Sequence, residues 1–157
     1  MKIKKILGVL FTSMLLLTMS TSVFAADVTP NAIGIGDTRE QAITLFDNTM
    51  YTLYNSGPND YDWYKWTNDT GTDRFFNATL YPTASGTSLN MGVIIYYPSS
   101  NIESTFIPGQ RNVPSNGVII ENLYIPAGAV VYLRIGNDLS GTVQYNFNIL
   151  TTVPGSK

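Results

Sequence analysis

Val143-Gln144-Tyr145-Asn146-Phe147-Asn148-Ile149 alternates large apolar side chains with amides at a period of two. Successive side chains of an extended strand point to opposite faces, so Val143, Tyr145, Phe147 and Ile149 belong to a core and Gln144, Asn146 and Asn148 to an outer surface. Upstream, Val131, Leu133 and Ile135 alternate in the same way with Val130, Tyr132 and Arg134, and Met91, Val93, Ile95 and Tyr97 make a third inward set. If the last two strands pair, Tyr132 and Arg134 stand beside Gln144, Asn146 and Asn148 in one polar and aromatic outer surface.

Working outward, the same short β-branched and aromatic runs recur from Met50 onward, with turn signals between them. Strands are expected near 50–55, 62–67, 74–81, 89–97, 102–107, 117–125, 129–136 and 142–150. The breaks are Ser56-Gly57-Pro58-Asn59, Asp69-Thr70-Gly71, Ala84-Ser85-Gly86, Pro98-Ser99-Ser100-Asn101, Ser115-Asn116-Gly117, Pro126-Ala127-Gly128 and Ser140-Gly141, each rich in residues that reverse a backbone. No window of helical length shows a 3.6-residue apolar period, and Thr38 to Leu45 could form one helical turn and nothing more. The fold class is therefore all-β, an antiparallel sandwich or barrel of about eight strands.

Composition limits what such a fold can do. The 157 residues include no Cys and no His, which removes disulfides, thiolate metal sites, cysteine nucleophiles, the commonest general base and the commonest transition-metal ligand. Met1 to Ala25 reads as a signal peptide: Lys2, Lys4 and Lys5 precede an apolar stretch from Ile6 to Met19, and Val23 and Ala25 suit cleavage after Ala25. Cleavage takes three of nine basic residues and none of eleven acidic ones, turning a net charge of −2 into −5. Such a chain lacks the basic stripe that nucleic acid needs and has no membrane segment once the leader is gone. The expected organisation is a leader over 1–25, a lead-in over 26–45, its first part to Gly36 flexible, and a sandwich domain over 46–153, secreted to the cell exterior. Asn68-Asp69-Thr70 and Asn77-Ala78-Thr79 match the glycosylation pattern by chance.

Asp60 and Asp62 flank Tyr61 where a loop enters a strand, with Asn59 adjacent and Asp37 within reach through the lead-in. Hard oxygen ligands gathered at a turn suit calcium, and an exported chain without disulfides gains from such a clamp. The same residues could instead shape the turn and stay solvated. A glycosidase pair would need a second acid tuned by an apolar setting, and none is evident. Tyr64 and Trp66 alternate inward, leaving Trp63 and Lys65 outward; Tyr132, Tyr96, Phe75 and Tyr81 also fall on outward parity. Outward aromatic faces either meet sugar rings or proline-rich peptide, or pair across strands to steady a sheet. Trp63, Lys65, Tyr132, Arg134 and Asn146 are the candidate ligand-binding residues, and Asp37, Asp60 and Asp62 the candidate metal ligands. Serine lacks a base: Lys65 and Lys157, the lysines left after cleavage, sit in no Ser-x-x-Lys setting. Gly34-Ile35-Gly36-Asp37 is no phosphate loop, because no strand leads in and no Lys follows.

Gly36-Asp37-Thr38, Ala42-Ile43-Thr44-Leu45 and Asn59-Asp60-Tyr61-Asp62-Trp63-Tyr64-Lys65-Trp66, with Gly128-Ala129-Val130-Val131-Tyr132-Leu133-Arg134-Ile135 and then Gly141 and Tyr145-Asn146-Phe147, resemble the bacterial pre-peptidase C-terminal domain. The Asp-x-Asp-Trp-Tyr stretch is the distinctive part. Leu89-Asn90-Met91-Gly92-Val93 departs from the Asp-rich middle strand of that family, and here the domain stands without a peptidase. The resemblance implies a jelly-roll sandwich with no catalysis of its own, attached to extracellular polysaccharide or protein, with calcium in some relatives. A structural matrix component, or a folding partner of a co-secreted hydrolase, is the alternative role.

Overall fold

In a computed structural model of the chain, residues 36–84, 88–112 and 117–155 are described. The leader expected at 1–25 and nearly all of the first part of the lead-in lie outside them, as do parts of the turns expected at Ala84-Ser85-Gly86 and Ser115-Asn116-Gly117. Among the described residues, eleven strands follow one 3-10 turn at Arg39–Gln41: β1 (Ile43–Thr44), β2 (Met50–Asn55), β3 (Tyr61–Thr67), β4 (Arg74–Pro82), β5 (Leu89–Tyr97), β6 (Ile102–Glu103), β7 (Ile107–Pro108), β8 (Gln110–Asn112), β9 (Gly117–Ile125), β10 (Val130–Asn137) and β11 (Val143–Thr152). No helix among the described residues is long and apolar enough to cross a membrane.

The strands form two sheets. The first runs β1-β3-β10-β5-β6, with β7 also on the free edge of β5, and the second runs β2-β11-β4-β9-β8. Every pairing is antiparallel except β1 with β3. Among the seven long strands, each step along the chain crosses from one sheet to the other, the jelly-roll habit, so long neighbours in a sheet are never consecutive in sequence. The inward sets read from alternation meet between the sheets: Val93, Val131, Leu133, Ile135 and Tyr64 from one, Phe76, Leu80, Tyr145, Phe147 and Ile149 from the other, all almost fully buried. Tyr64 packs on Phe147 at 4.6 Å between ring centroids, and Trp66 on Phe76 at 5.7 Å. Each such side chain contributes about 1.5–3 kcal/mol through burial.

Three expectations need correction. First, β10 and β11 do not pair; both edges of β10 are taken by β3 and β5, and the chain then crosses to the second sheet. Buried Asn137 holds that crossing, donating to the carbonyls of Leu139 and Gly141 and accepting the Leu139 N–H. Second, the single strand expected at 102–107 is two short pieces, β6 and β7. Between them the Ser104 hydroxyl accepts the Ile95 N–H at 2.9 Å, taking the place of a backbone carbonyl and breaking the ladder. Third, Thr38 to Leu45 holds more than a helical turn, since Ile43 and Thr44 lie parallel to Tyr64 and Lys65. Asn68 is fully buried and donates to the carbonyls of Thr72 and Ile125.

Candidate binding face and carboxylate cluster

Strand β3 serves two candidate sites from its two faces. Its period of two sends Asp62, Tyr64 and Trp66 inward and Tyr61, Trp63 and Lys65 outward. On the outer face, register with β10 sets Lys65 opposite Tyr132 and Trp63 opposite Arg134. Four of the five candidate ligand-binding residues thus share one patch. Asn146 does not join them: it lies on β11 in the second sheet and accepts a hydrogen bond from the Thr52 hydroxyl at 2.7 Å. That follows from the unpaired β10 and β11.

The patch is braced by arginines. The Arg39 guanidinium lies 4.1 Å from the Tyr132 ring centroid and forks onto Glu103, Nη1 to Oε2 at 2.9 Å and Nη2 to Oε1. The bond between them raises the Arg39 pKa and lowers that of Glu103. Arg134 lies 4.5 Å from the Tyr61 ring, 4.4 Å from Phe106 and 5.9 Å from Trp63. Trp63 and Tyr132 are consequently half-buried under cationic side chains instead of standing bare. The other outward aromatics behave differently. Phe75 and Tyr124 form an edge-on cross-strand pair at 6.3 Å on the second sheet, and Tyr96 donates to Asn101.

Sequence reading passed over Tyr61, Phe106, Arg39 and Arg111. One signal was present for Phe106: Gly92 in the middle of β5. A glycine inside a strand often marks a close approach, and a Cβ there would lie 2.2 Å from the Phe106 ring. The same holds at Gly136, where a Cβ would meet the Tyr61 ring at 2.9 Å.

The second site lies at the end of the sandwich where β3 begins. Carboxylate oxygens of Asp37, Asp60 and Asp62 all lie within 4.8 Å of one another. Asp60 accepts the Ser56 N–H at 2.6 Å and the Ser56 hydroxyl at 2.8 Å through Oδ2, which closes the β2–β3 turn. Asp62 accepts the Tyr145 hydroxyl at 2.7 Å and the Asn55 amide at 3.3 Å, also through Oδ2. The Tyr64 and Tyr145 hydroxyls meet at 2.6 Å, extending the chain of bonds into the core. Buried Asn55 further donates to the Asp60 carbonyl and accepts the Gly57 N–H. Burial pushes the Asp62 carboxyl up to about 6, and the charges of Asp60 and Asp37 add to that, while the bonds from Tyr145 and Asn55 act against it. Burial likewise pushes both tyrosine hydroxyls well above their usual values. Oxygens bound to calcium at 2.3–2.6 Å are at most about 5 Å apart, so this donor set suits a hard divalent cation. Shaping the turn leaves donors for a ligand role, because the hydrogen bonds engage one oxygen of Asp60 and one of Asp62.

No family model matches the chain, and no curated protein sequence matches it. Among solved structures, the chain is similar to the pre-peptidase C-terminal domain of collagenase from Bacillus anthracis, with a TM-score of 0.53 at 16% identity, over 69% of this chain and 93% of that one. It is also similar to the mitogen derived from Yersinia pseudotuberculosis, with a TM-score of 0.45 at 18% identity, over 69% of this chain and 87% of that one. The first likeness shows that the chain has a β-sandwich of pre-peptidase C-terminal type.

Proposed function

We propose that the protein is an exported, non-catalytic β-sandwich module that attaches to an extracellular polymer, polysaccharide or protein, through the outer face of its first sheet. The observation that carries this reading is the patch of Trp63, Lys65, Tyr132 and Arg134 in two adjacent cross-strand pairs. Half-buried aromatic rings held by stacked guanidinium groups supply apolar area that is already ordered, so little side-chain entropy is lost on contact. Asp37, Asp60 and Asp62 are read as ligands of a stabilising calcium ion placed away from this face, with no part in chemistry.

Retention of the purified protein on insoluble polysaccharides and on fibrous proteins tests the reading. A Trp63→Ala, Tyr132→Ala double variant is expected to lose retention at least tenfold while melting as a folded domain. Retention equal to that of the parent would remove the face from the proposal.

A further inference from the structure

The patch continues at one corner into a cleft of about 290 Å³, bounded by Tyr61, Asn90, Phe106, Arg111, Arg134 and Asp138. We propose that this cleft binds a uronic-acid residue of an acidic polysaccharide, with its carboxylate held by Arg134 and Arg111. The inference rests on the polymer-binding reading of the adjoining face and narrows it to a ligand class.

Arg134 is built to receive an anion. Two glycines make the setting: Gly136, two residues along β10, leaves room for the Tyr61 ring, and Gly92, directly across on β5, leaves room for the far end of the Phe106 ring. The guanidinium thereby lies against two rings, at 4.5 and 4.4 Å from their centroids. Contact with the rings spends none of its N–H groups, and a guanidinium fork meets a planar carboxylate through two parallel bonds. Among the described residues Arg134 has no carboxylate partner, and its Nε is buried without a hydrogen bond. A cation fixed in this way needs little further ordering when an anion arrives.

The remaining lining specifies more than charge. Arg111 reaches the cleft from β8, and its Nη2 lies 3.4 Å from the Ser88 hydroxyl, a long contact for a guanidinium. Asp138 is held by the Ser88 hydroxyl at 3.2 Å and the Asn90 amide at 2.8 Å, which leaves lone pairs for ligand hydroxyls. Two guanidinium groups against one carboxylate give the cleft a positive balance on a chain whose net charge is negative. One carboxylate surrounded by hydroxyls is the functional-group pattern of a uronate ring. A peptide fits less well, because the nearby edge of β5 is already used: Gly109 N–H donates to the Met91 carbonyl at 2.8 Å and Pro108 stands opposite Gly92, so no strand can add there.

The test is calorimetric titration of the full-length protein with trigalacturonate, its methyl ester, and a tripeptide ending in glutamate. The acid is expected to bind at least tenfold more tightly than either comparison ligand. Arg134→Lys, which keeps the charge and loses the fork, should weaken the acid at least tenfold and the ester by a much smaller factor. Arg111→Gln, at an exposed position, should weaken it several-fold and serves as the second variant if Arg134→Lys fails to fold. Equal affinity for acid and ester, absence of acid binding, or acid binding indifferent to both substitutions overturns the proposal, and a peptide bound as tightly as the acid overturns the sugar assignment. Retention on polymers that still depends on Trp63 and Tyr132 would then show that the cleft inference alone has failed; loss of that dependence as well would take down both.

Discussion

Asp62 is a buried carboxyl that two neighbouring carboxylates oppose and two hydrogen bonds support, and the outcome is a pKa near 6 against an ordinary 3.8. The folded protein therefore holds a proton that the unfolded chain has released across that interval. Its contribution to stability is fully present below pH 3.8 and is lost as pH rises through about 6. The shift corresponds to about 3 kcal/mol. In chelator, the melting temperature is expected to fall between pH 4.5 and 7, and Asp62→Asn, an uncharged isostere that still accepts the Tyr145 hydroxyl, should flatten that fall. Asp73 and Glu103 lie low for the opposite reason, their hydrogen bonds from Tyr124 and Arg39, and both act in parent and variant alike. A parent and variant with superimposable pH profiles would mean that Asp62 does not titrate in this range.

At the scale of elements, the acidic cluster joins three pieces of chain: the segment at Asp37 just before the 3-10 turn, the β2–β3 turn through Asp60, and the start of β3 through Asp62. The turn already has an internal frame: the Asn55 amide donates to the Asp60 carbonyl and accepts the Gly57 N–H, and the Asp60 carboxylate accepts the Ser56 N–H. The segment at Asp37 is held on β3 by the Trp63 N–H to the Gly36 carbonyl at 2.7 Å and, further along, by the β1 pairing and the Leu45 N–H to the Lys65 carbonyl at 2.8 Å. A cation would tie that segment down and relieve the repulsion within the cluster. Millimolar calcium at pH 7.5 is expected to raise the melting temperature by about 5 °C over chelator, the order of effect given by ligand at several tens of times its Kd. Asp60→Asn should abolish the increment. A melting temperature indifferent to calcium would show that these carboxylates only shape the turn.

The molecule as a whole has few local pairings. Because each long strand crosses to the other sheet, β3 must find β10 and β2 must find β11 across most of the chain before either sheet is complete. Loop closure has to precede the contacts that reward it, which places such topologies in the millisecond-to-second range of folding times. Stopped-flow refolding followed by fluorescence of Trp63 and Trp66 is expected to give a main phase slower than about 1 ms. A microsecond main phase would contradict this topology as the rate-setting feature.

Alternation within single strands was enough to assign the class of fold and the inward face of β5, β10 and β11, since a period of two is a local property of extended backbone. It also separated Tyr64 and Trp66 from Trp63 and Lys65, while the residue types at the turn into β3 picked out Asp37, Asp60 and Asp62 as a group that the fold brings together. Alternation said nothing about which strands are neighbours, because partner choice depends on contacts between residues far apart in the chain; that is why Asn146 was placed beside Tyr132 and lies instead on the opposite sheet. The Ser104 break between β6 and β7, the rings against Arg134 and the cleft beside it were decided by tertiary structure alone. Each is made by residues from two or more separate strands or loops, so no periodicity within any one of them could carry the information.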